Sequence, residues 1–354
     1  MNLVIAHPAA TGGIRGGKWL YADSDIDVFL RLRTEHGEDR LWLEPAGFQQ
    51  RARELVGDYI AWCDRQILRA GGEDEWILSA YHRHPYESDQ FVYLTWLKLL
   101  AERYAGEALT VVTAHRGFAH ALEDLARDRG WKIDLAARGA WLATAAAAWS
   151  KGLASLARDM AHWLARIALS PAARDPGGAS VYLAGYFHED SIGEDGSFND
   201  RYFRRLARWY EERGVALAHL PLFEQIPLRG LRALYASIGK SRMPVLLAEQ
   251  FVGWGDVLAS TARCLARACT PAPPPERFLE LDVTRILEGG DARAALWGLT
   301  PLLLKKRAQR VPVAPSATVV EWFENQRIGR ASALGWRGRA RHDSVSAADF
   351  HTRR

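Results

Sequence analysis

Short apolar runs alternate with segments of helical spacing along most of the chain. The first such block predicts strands over residues 76–81, 109–113 and 131–135, with helices over residues 88–104 and 118–129 between them. Strands that alternate with helices of this length are typical of βαβ units, in which the strands pair in parallel. The block therefore predicts an α/β fold.

The pattern changes to one long amphipathic helix over residues 141–169. Its larger apolar side chains fall on one stripe, and its charged side chains lie away from that stripe. The stripe consists of Leu142, Trp149, Leu153, Leu156, Met160, Trp163, Leu164 and Ile167. Two interpretations stay open: the helix covers the sheet, or it lies on a membrane surface.

Alternation resumes after the turn-rich segment 171–178. It predicts strands over residues 180–185, 215–219, 244–248 and 317–322, with helices over residues 199–213, 228–239 and 255–269. Taken together, the strands favour one Rossmann-like, doubly wound, mostly parallel sheet with long helical excursions. The predicted organisation is an N-terminal extension (1–75), a domain (76–336) that carries the amphipathic helical insertion 139–170, and an irregular tail (337–354).

The charge balance argues against nucleic acid as a partner. The 354 residues include 46 basic and 42 acidic side chains, for a formal net charge of +4, which is too small an excess for a nucleic-acid footprint. The basic residues are unusual in kind, since only seven are lysine and 39 are arginine. Two explanations stay open: the codon bias of a GC-rich genome, and an arginine-rich surface that binds anions.

Three cysteines cannot form a disulfide framework, and the spacing of Cys264 and Cys269 is not that of zinc ligands. A reducing cytoplasm fits this usage. The N-terminus lacks the basic and apolar regions of a signal peptide, and no run of about 18 uncharged apolar residues predicts a transmembrane helix. We therefore expect a cytoplasmic protein, which the long helix would place peripherally on the inner membrane.

Polar side chains follow six of the seven predicted strands. In an open parallel sheet, ligands bind outside the carboxyl ends of the strands, so these side chains predict a cleft for a polar ligand. The predicted substrate-binding residues are His82, Arg83, His84, Ser88, His115, Arg116, Tyr186, Asp190, Glu249, Gln250, Asn325 and Gln326.

Several of these residues have a second interpretation. Ser88 is a good helix N-cap, and the same helix end would attract a phosphate or carboxylate. His82 and His84 have no third ligand at a suitable spacing, so no metal site is predicted. Glu324 follows a buried strand, where its pKa could rise, and it is the preferred general base, although pairing with a nearby arginine is equally favoured.

The chain lacks complete versions of several common cofactor and nucleophile motifs, which argues against the enzyme classes that use them. Residues 12–18 have the spacing of a phosphate-binding loop, but Trp19 stands where the loop needs Ser or Thr. No GxSxG elbow and no GxGxxG follows a predicted strand, which disfavours an α/β-hydrolase and a dinucleotide oxidoreductase. We expect no bound cofactor.

Three segments resemble bacterial surface-carbohydrate biosynthesis proteins of the glycosyltransferase type. They are residues 185–202, which contain GYFHED and GSFNDRY, residues 322–326 (WFENQ) and, more loosely, residues 85–89 (PYESD). The resemblance implies a B-type glycosyltransferase with two Rossmann-like halves, of which this chain would supply the N-terminal, acceptor-binding half. It also implies a cytoplasmic protein that takes a glycan or lipid-linked acceptor and a sugar nucleotide as donor.

The resemblance implies a chemistry for the strand-end residues. Glu324, and after it Glu87, would deprotonate the acceptor hydroxyl, and Arg83, Arg116 or His115 would neutralise phosphate or acidic sugar groups. One departure is large: no second α/β half follows residue 336, and the tail has no strand signal. We therefore expect a truncated protein without its donor-binding half. The alternative is a non-catalytic module that binds carbohydrate or nucleotide, or a partner that assembles at a membrane surface.

Overall fold

The computed structural model describes residues 3–14, 17–43, 45–69, 72–79, 89–136, 138–172, 174–176, 178–188, 191–198, 205–223, 226–270, 276–322 and 327–345. The chain divides into two compact units. Unit 1 contains Met1–Ala154 and Ala266–Leu296, and unit 2 contains Ser155–Leu265 and Trp297–Arg354. Each unit holds one four-stranded parallel sheet with helices, so the protein has an α/β fold. A two-stranded pair accompanies each sheet, Arg277–Phe278 with Leu281–Asp282 (antiparallel) in unit 1 and Tyr186–Phe187 with Leu222–Phe223 (parallel) in unit 2.

The strands, in chain order, are β1 (Leu3–Ala6), β2 (Lys18–Tyr21), β3 (Leu109–Val112), β4 (Ile133–Ala136), β5 (Val181–Ala184), β6 (Tyr186–Phe187), β7 (Leu217–His219), β8 (Leu222–Phe223), β9 (Arg277–Phe278), β10 (Leu281–Asp282), β11 (Thr318–Trp322) and β12 (Arg341–Val345).

The helices, in chain order, are α1 (Ile26–His36), α2 (Pro45–Arg69), α3 (Glu73–Leu78), α4 (Asp89–Arg103), α5 (Arg116–Asp128), α6 (Arg138–Leu169), α7 (Leu206–Glu211), α8 (Leu231–Gly239), α9 (Trp254–Ala268), α10 (Thr284–Leu296), α11 (Leu299–Arg310) and α12 (Arg327–Trp336).

Four parallel strands form the sheet of unit 1, in the order β2-β3-β1-β4. β3 is buried at every position, as expected of a strand covered on both faces. Its side chains join those of α4 and α5 in an apolar core that also includes Phe278 and Ile286, from the segment that returns to unit 1 after residue 265. The carboxyl end of β3 leads directly into α5.

Unit 2 has a second parallel sheet in the order β12-β11-β5-β7. Beyond β7, Val245 makes a single parallel bridge with His219. The short strands β6 and β8 pair with each other, also in parallel. Trp336, Val319 and Leu246 are buried in the core on this sheet.

The structure confirms the predicted strands near residues 109, 131, 180, 215 and 317, and it corrects other predictions. Residues 73–78 form α3 rather than a strand, because three acidic residues in the first turn favour a helix N-terminus there. In place of the expected single sheet, the described residues form two four-stranded sheets and two two-stranded pairs. Residues 3–6 and 18–21, assigned to an extension, are strands of the first four-stranded sheet. The tail, expected to be irregular, supplies β12.

The long helix is also only partly as predicted. Leu142, Trp149 and Leu153 are exposed, but Leu156 and Trp163 are 2% exposed, so the apolar stripe does not present one continuous surface. Among the described residues, no helix combines the length and the apolar character needed to cross a membrane.

Candidate functional site

A cavity of about 810 Å³ opens at the carboxyl end of β3, entirely within unit 1. Residues of α4, α5, α6 and α10 line it, together with the last residues of α9. Its charged and histidine side chains are Asp89, His115, Arg116, His120, Arg267, Arg285, Glu288, Asp291 and Arg293, and its aromatic side chains are Tyr93, Trp141 and Trp149. It is large enough for a ligand of several rings.

The amino-terminal end of α5 forms one wall of the cavity. His115 is the N-cap, and its Nδ1 accepts a hydrogen bond from the N–H of Phe118 at 2.9 Å. Arg116 and Gly117, in the first turn, line the cavity, and this turn contains no acidic residue. The free N–H groups and the dipole at such an end attract an anion, whereas the Arg116 side chain is unfavourable there without one.

A half-buried carboxylate holds the turn between β3 and α5. Asp23, which follows β2, accepts hydrogen bonds from the Ala114 N–H at 2.6 Å, the Thr113 hydroxyl at 2.8 Å and the Tyr93 hydroxyl at 2.9 Å. Burial raises the pKa of Asp23, against the opposite effect of these three hydrogen bonds. Asp23 therefore fixes both Tyr93 and the start of α5, and it acts on the cavity as a positioning residue.

His115 is a neutral imidazole that faces the cavity. Burial, with the nearby Arg293 guanidinium, lowers the pKa of His115 to about 3. Because Nδ1 accepts from Phe118, the proton of the neutral ring is on Nε2, which is a hydrogen-bond donor. The ring of Tyr93 stacks on His115 at a centroid distance of 4.2 Å. Burial also raises the pKa of Tyr93, so its hydroxyl stays protonated and donates to Asp23.

Among the described lining residues, three of the four arginines have a carboxylate partner that also lines the cavity. Arg267 contacts Asp291 at 2.7 Å, Arg285 contacts Glu288 at 3.3 Å, and Arg293 contacts Asp89 at 3.6 Å.

Arg116 differs from these three. Its Nε lies 3.3 Å from His120 Nε2, and it has no carboxylate partner within the described part of the chain. Among the described lining residues, three carboxylates are thus paired with three arginines, and Arg116 is a fourth cation beside the helix end.

The aromatic wall of the cavity comes from the first turns of α6. Trp141 is buried, and its indole N–H donates to the carbonyl of Thr113 at 2.9 Å. Thr144, one turn later, bonds the ring of His7, which follows β1, at 3.0 Å. These bonds tie α6 to the carboxyl ends of β1 and β3. Trp149 is 38% exposed at the cavity lining, where its ring face is available for stacking.

Gly117 allows α10 to approach the end of α5. A Cβ at this position would lie 2.1 Å from the carbonyl oxygen of Arg285. Only glycine permits this contact without a shift of one helix. The close approach places Arg285, Glu288 and Asp291 in the cavity wall.

The structure brings two of the predicted site residues, His115 and Arg116, together in this cavity. Tyr186, Glu249 and Gln250 lie in unit 2, and Tyr186 is part of β6. The predicted residues His82, Arg83, His84, Glu87, Ser88, Asp190, Glu324, Asn325 and Gln326 are outside the described residues.

Glu249 and Gln250 make bonds within unit 2. Glu249 is 3% exposed, accepts a hydrogen bond from Arg166 at 2.6 Å and bonds the hydroxyl of Tyr235. The Gln250 carboxamide accepts from the N–H of Leu247 at 2.9 Å and donates to the carbonyl of Pro171 at 3.1 Å. These hydrogen bonds within unit 2 pair the polar groups of both side chains. Substrate binding by them stays a prediction.

Most lining residues were missed because they do not follow a strand. Arg267, Arg285 and Arg293 come from a segment that returns to unit 1 after more than a hundred residues in unit 2. For these arginines, the excess of arginine over lysine was the sequence signal that pointed to an anion-binding surface. Within the described ranges, no group of three His, Cys, Asp or Glu side chains could hold a metal ion.

Comparison of this chain with protein-family models, with curated proteins and with solved structures finds no match in any of the three. The cavity is therefore interpreted from its own chemistry.

Proposed function

We propose that the protein is a glycosyltransferase-like protein of surface polysaccharide or glycolipid biosynthesis, and that the cavity of unit 1 binds the acceptor through an anionic group. The observation that carries this proposal is the unmatched cation Arg116 at the amino-terminal end of α5, beside the rings of Tyr93, Trp141 and Trp149. A phosphate or carboxylate fits the helix end and Arg116, and a sugar ring fits an aromatic wall.

We also propose that the parallel sheet of unit 2 belongs to a doubly wound, Rossmann-like fold. We number the four strands of the large sheet of unit 2, together with the bridge at Val245, by their order along the chain. Read across the sheet from Val245 through β7, β5 and β11 to β12, these numbers run 3-2-1-4-5. This is the beginning of the order found in doubly wound dinucleotide-binding sheets. The presence of a parallel sheet in each unit supports two α/β halves in one chain, in place of the single half that the resemblance first suggested.

In the proposed reaction, a carboxylate takes the proton of the acceptor hydroxyl as that oxygen attacks the anomeric carbon of the donor sugar. The bond from that carbon to the donor's phosphate oxygen breaks in the same step, and the nucleotide leaves with the bonding electron pair. Glu324 and Glu87 remain the proposed bases. The neutral His115 donates a hydrogen bond from Nε2, and Arg116 holds the acceptor's anionic group.

A specific observation favours the alternative of a binding module without catalysis. Each described carboxylate of the cavity lining, Asp89, Glu288 and Asp291, is paired with an arginine. A carboxylate whose oxygens already contact a guanidinium has fewer free lone pairs with which to accept the proton of a substrate hydroxyl. In this alternative the cavity binds the same anionic carbohydrate and does not turn it over.

Calorimetric titration of the full chain with glucose 1-phosphate, glucuronate and glucose tests the proposed ligand class. We expect the two anions to bind and glucose to bind far more weakly. Arg116→Ala should weaken anion binding roughly tenfold to a hundredfold, the usual loss for a hydrogen bond to a charged group. Arg127→Ala, at the opposite end of α5, is the matched control and should bind like the wild type.

Incubation with a panel of sugar nucleotides separates enzyme from module. Slow release of nucleotide, accelerated by a bound anionic acceptor, supports the transferase, whereas acceptor binding without nucleotide release supports the module. Equal affinity for glucose and its phosphate, or no effect of Arg116→Ala, would overturn both.

A further inference from the structure

The hydroxyl of Thr144 is a hydrogen-bond donor in the lining of the unit 1 cavity. Its oxygen lies 3.0 Å from Nε2 of His7, and Nδ1 of His7 accepts a hydrogen bond from the N–H of Ala9 at 3.2 Å. Burial lowers the pKa of His7, so its ring is neutral and carries the proton on Nε2. His7 therefore donates to the Thr144 oxygen. The Thr144 proton has no acceptor among the described residues and is free for a ligand.

Arg116 offers a second set of donors to the same cavity. Its Nε donates to Nε2 of His120 at 3.3 Å, and Nδ1 of His120 lies 3.2 Å from a carboxylate oxygen of Glu123. Because a carboxylate only accepts, the neutral His120 ring carries its proton on Nδ1 and its Nε2 accepts from Arg116. Nη1 and Nη2 of Arg116 bond no described residue, and such a pair of N–H groups binds two oxygens of one anion.

Thr144 and Arg116 flank the same turn at the end of β3. The indole N–H of Trp141, three residues before Thr144, donates to the carbonyl of Thr113, and His115 caps α5 two residues after Thr113. His115 is a third donor, because its Nδ1 accepts the cap bond and its proton is on Nε2. Donors on α6, on α5 and on its cap residue therefore line one part of the cavity from different directions.

We propose that the cavity selects a terminal phosphate over a carboxylate through the donors of Arg116, Thr144 and His115. A carboxylate is planar and accepts hydrogen bonds close to its plane, so it matches the paired N–H groups of one guanidinium. A phosphate monoester has three terminal oxygens that point in different directions, and it can accept from all three side chains at once. The selected acceptor is a phosphate monoester rather than a uronic acid. This proposal rests on the proposed function, because it specifies the anionic group that Arg116 binds.

Calorimetric titration of the full chain with glucose 6-phosphate, glucose 6-sulfate and glucuronate tests this selection. All three ligands carry the anionic group on the same carbon, and the sulfate separates tetrahedral shape from the second negative charge of the phosphate. We expect both tetrahedral anions to bind roughly tenfold more tightly than glucuronate, the usual effect of one further hydrogen bond to a charged group. Thr144→Val should remove this preference and change the affinity for glucuronate little. Thr144→Ser keeps the hydroxyl and should keep the preference.

Thr270→Val is the matched control. Thr270 also lines the cavity, but its hydroxyl already donates to the carbonyl of Ala266 at 2.8 Å, so this variant should bind like the wild type. Equal wild-type affinity for glucose 6-sulfate and glucuronate overturns the proposal. So does an unchanged preference in Thr144→Val, or an equal loss of preference in the two Val variants.

Arg116→Ala separates failure of this proposal from failure of the proposed function. If the preference is absent but all three anions still lose affinity in Arg116→Ala, the phosphate selection is wrong and the anion-binding cavity stands. Affinities that do not depend on Arg116 overturn both.

Discussion

At the scale of the residue, His115 combines a structural role with a position in the cavity. Its Nδ1 caps α5, which requires the neutral ring, and burial keeps the ring neutral by lowering its pKa to about 3. A protonated His115 would lose the cap and would place a cation next to Arg293. The same residue therefore makes the amino-terminal end of α5 sensitive to acid.

The sign of this effect follows from the two pKa values. Between the ordinary pKa of 6.5 and the folded value of about 3, the unfolded chain binds a proton that the folded chain does not, so stability falls as the pH falls. Between pH 7 and pH 5, the free energy of unfolding decreases by about 2 kcal/mol through this proton uptake. His115→Asn keeps a capping side chain and removes the titration, so it should remove most of this loss.

Hydrogen exchange of the α5 amides at pH 7 and pH 5 measures the effect. An identical loss of protection in the wild type and in His115→Asn would show that another group causes it. A large loss of protection at pH 7 in the variant would instead show that Asn does not replace the cap, and His115→Asp then provides a second capping side chain for the same comparison.

The residues of the cavity differ in how well the sequence predicted them. His115 and Arg116 were found because they follow a buried strand, and the carboxyl end of a parallel strand faces the ligand side of its sheet. Asp23 was not among the predicted site residues, although it follows β2 and its carboxylate accepts three hydrogen bonds. A sequence does not show whether a carboxylate is solvated or buried, because that depends on which strand lies next to it.

At the scale of the element, the position of α10 decides the shape of the cavity. This helix carries six of the lining residues, and it approaches the end of α5 at a point where glycine leaves room for a backbone carbonyl. The predicted helices over residues 88–104 and 118–129 were confirmed as α4 and α5. α5 has one apolar face with a clear helical period, whereas α4 is buried on most of its circumference. Which helix would cover them was not predictable, since a helical period gives a buried face and not its partner.

Gly117→Ala tests the role of this close approach. The new Cβ would lie 2.1 Å from the Arg285 carbonyl oxygen, so α10 or α5 must shift. We expect a loss of about 1–3 kcal/mol in the free energy of unfolding, as for overpacked cores, together with weaker binding of glucose 1-phosphate.

Gly139→Ala is the matched control, since nothing lies within 4 Å of its added Cβ in α6. It should leave binding unchanged and raise stability by up to about 1 kcal/mol, the helix preference of Ala over Gly. Urea denaturation and calorimetry on the two variants measure both effects, and equal behaviour of the two would contradict the packing explanation.

At the scale of the whole molecule, alternation of strands and helices predicted the fold class but not the number of sheets. Seven strands in one chain fit one sheet as well as two, because strand period does not specify which strands pair. β1 and β2 were not predicted because they lie outside the block of alternating strands and helices that begins at residue 76. Leu3 and Lys18 pair with residues of β3 that are 106 and 91 positions further along the chain. β12 was not predicted because its sequence, RHDSV, is mostly polar.

The existence of two units predicts that damage to one core stays within it. Arg166 and Glu249 form a buried ion pair in unit 2, and Arg166 also lies 4.1 Å above the ring of Trp163. Glu249→Gln leaves the buried guanidinium without its counter-charge, so we expect unit 2 to lose roughly 3 kcal/mol of stability. Hydrogen exchange should therefore speed up in β5 and β7 while β1 and β3 keep their protection, because each sheet has its own apolar core.

Glu212→Gln is the matched control on the surface of the same unit. It removes a carboxylate that is 59% exposed and paired with Arg208, so the free energy of opening measured by exchange should change by less than about 1 kcal/mol. Equal acceleration in both sheets would mean that the two units unfold as one cooperative block.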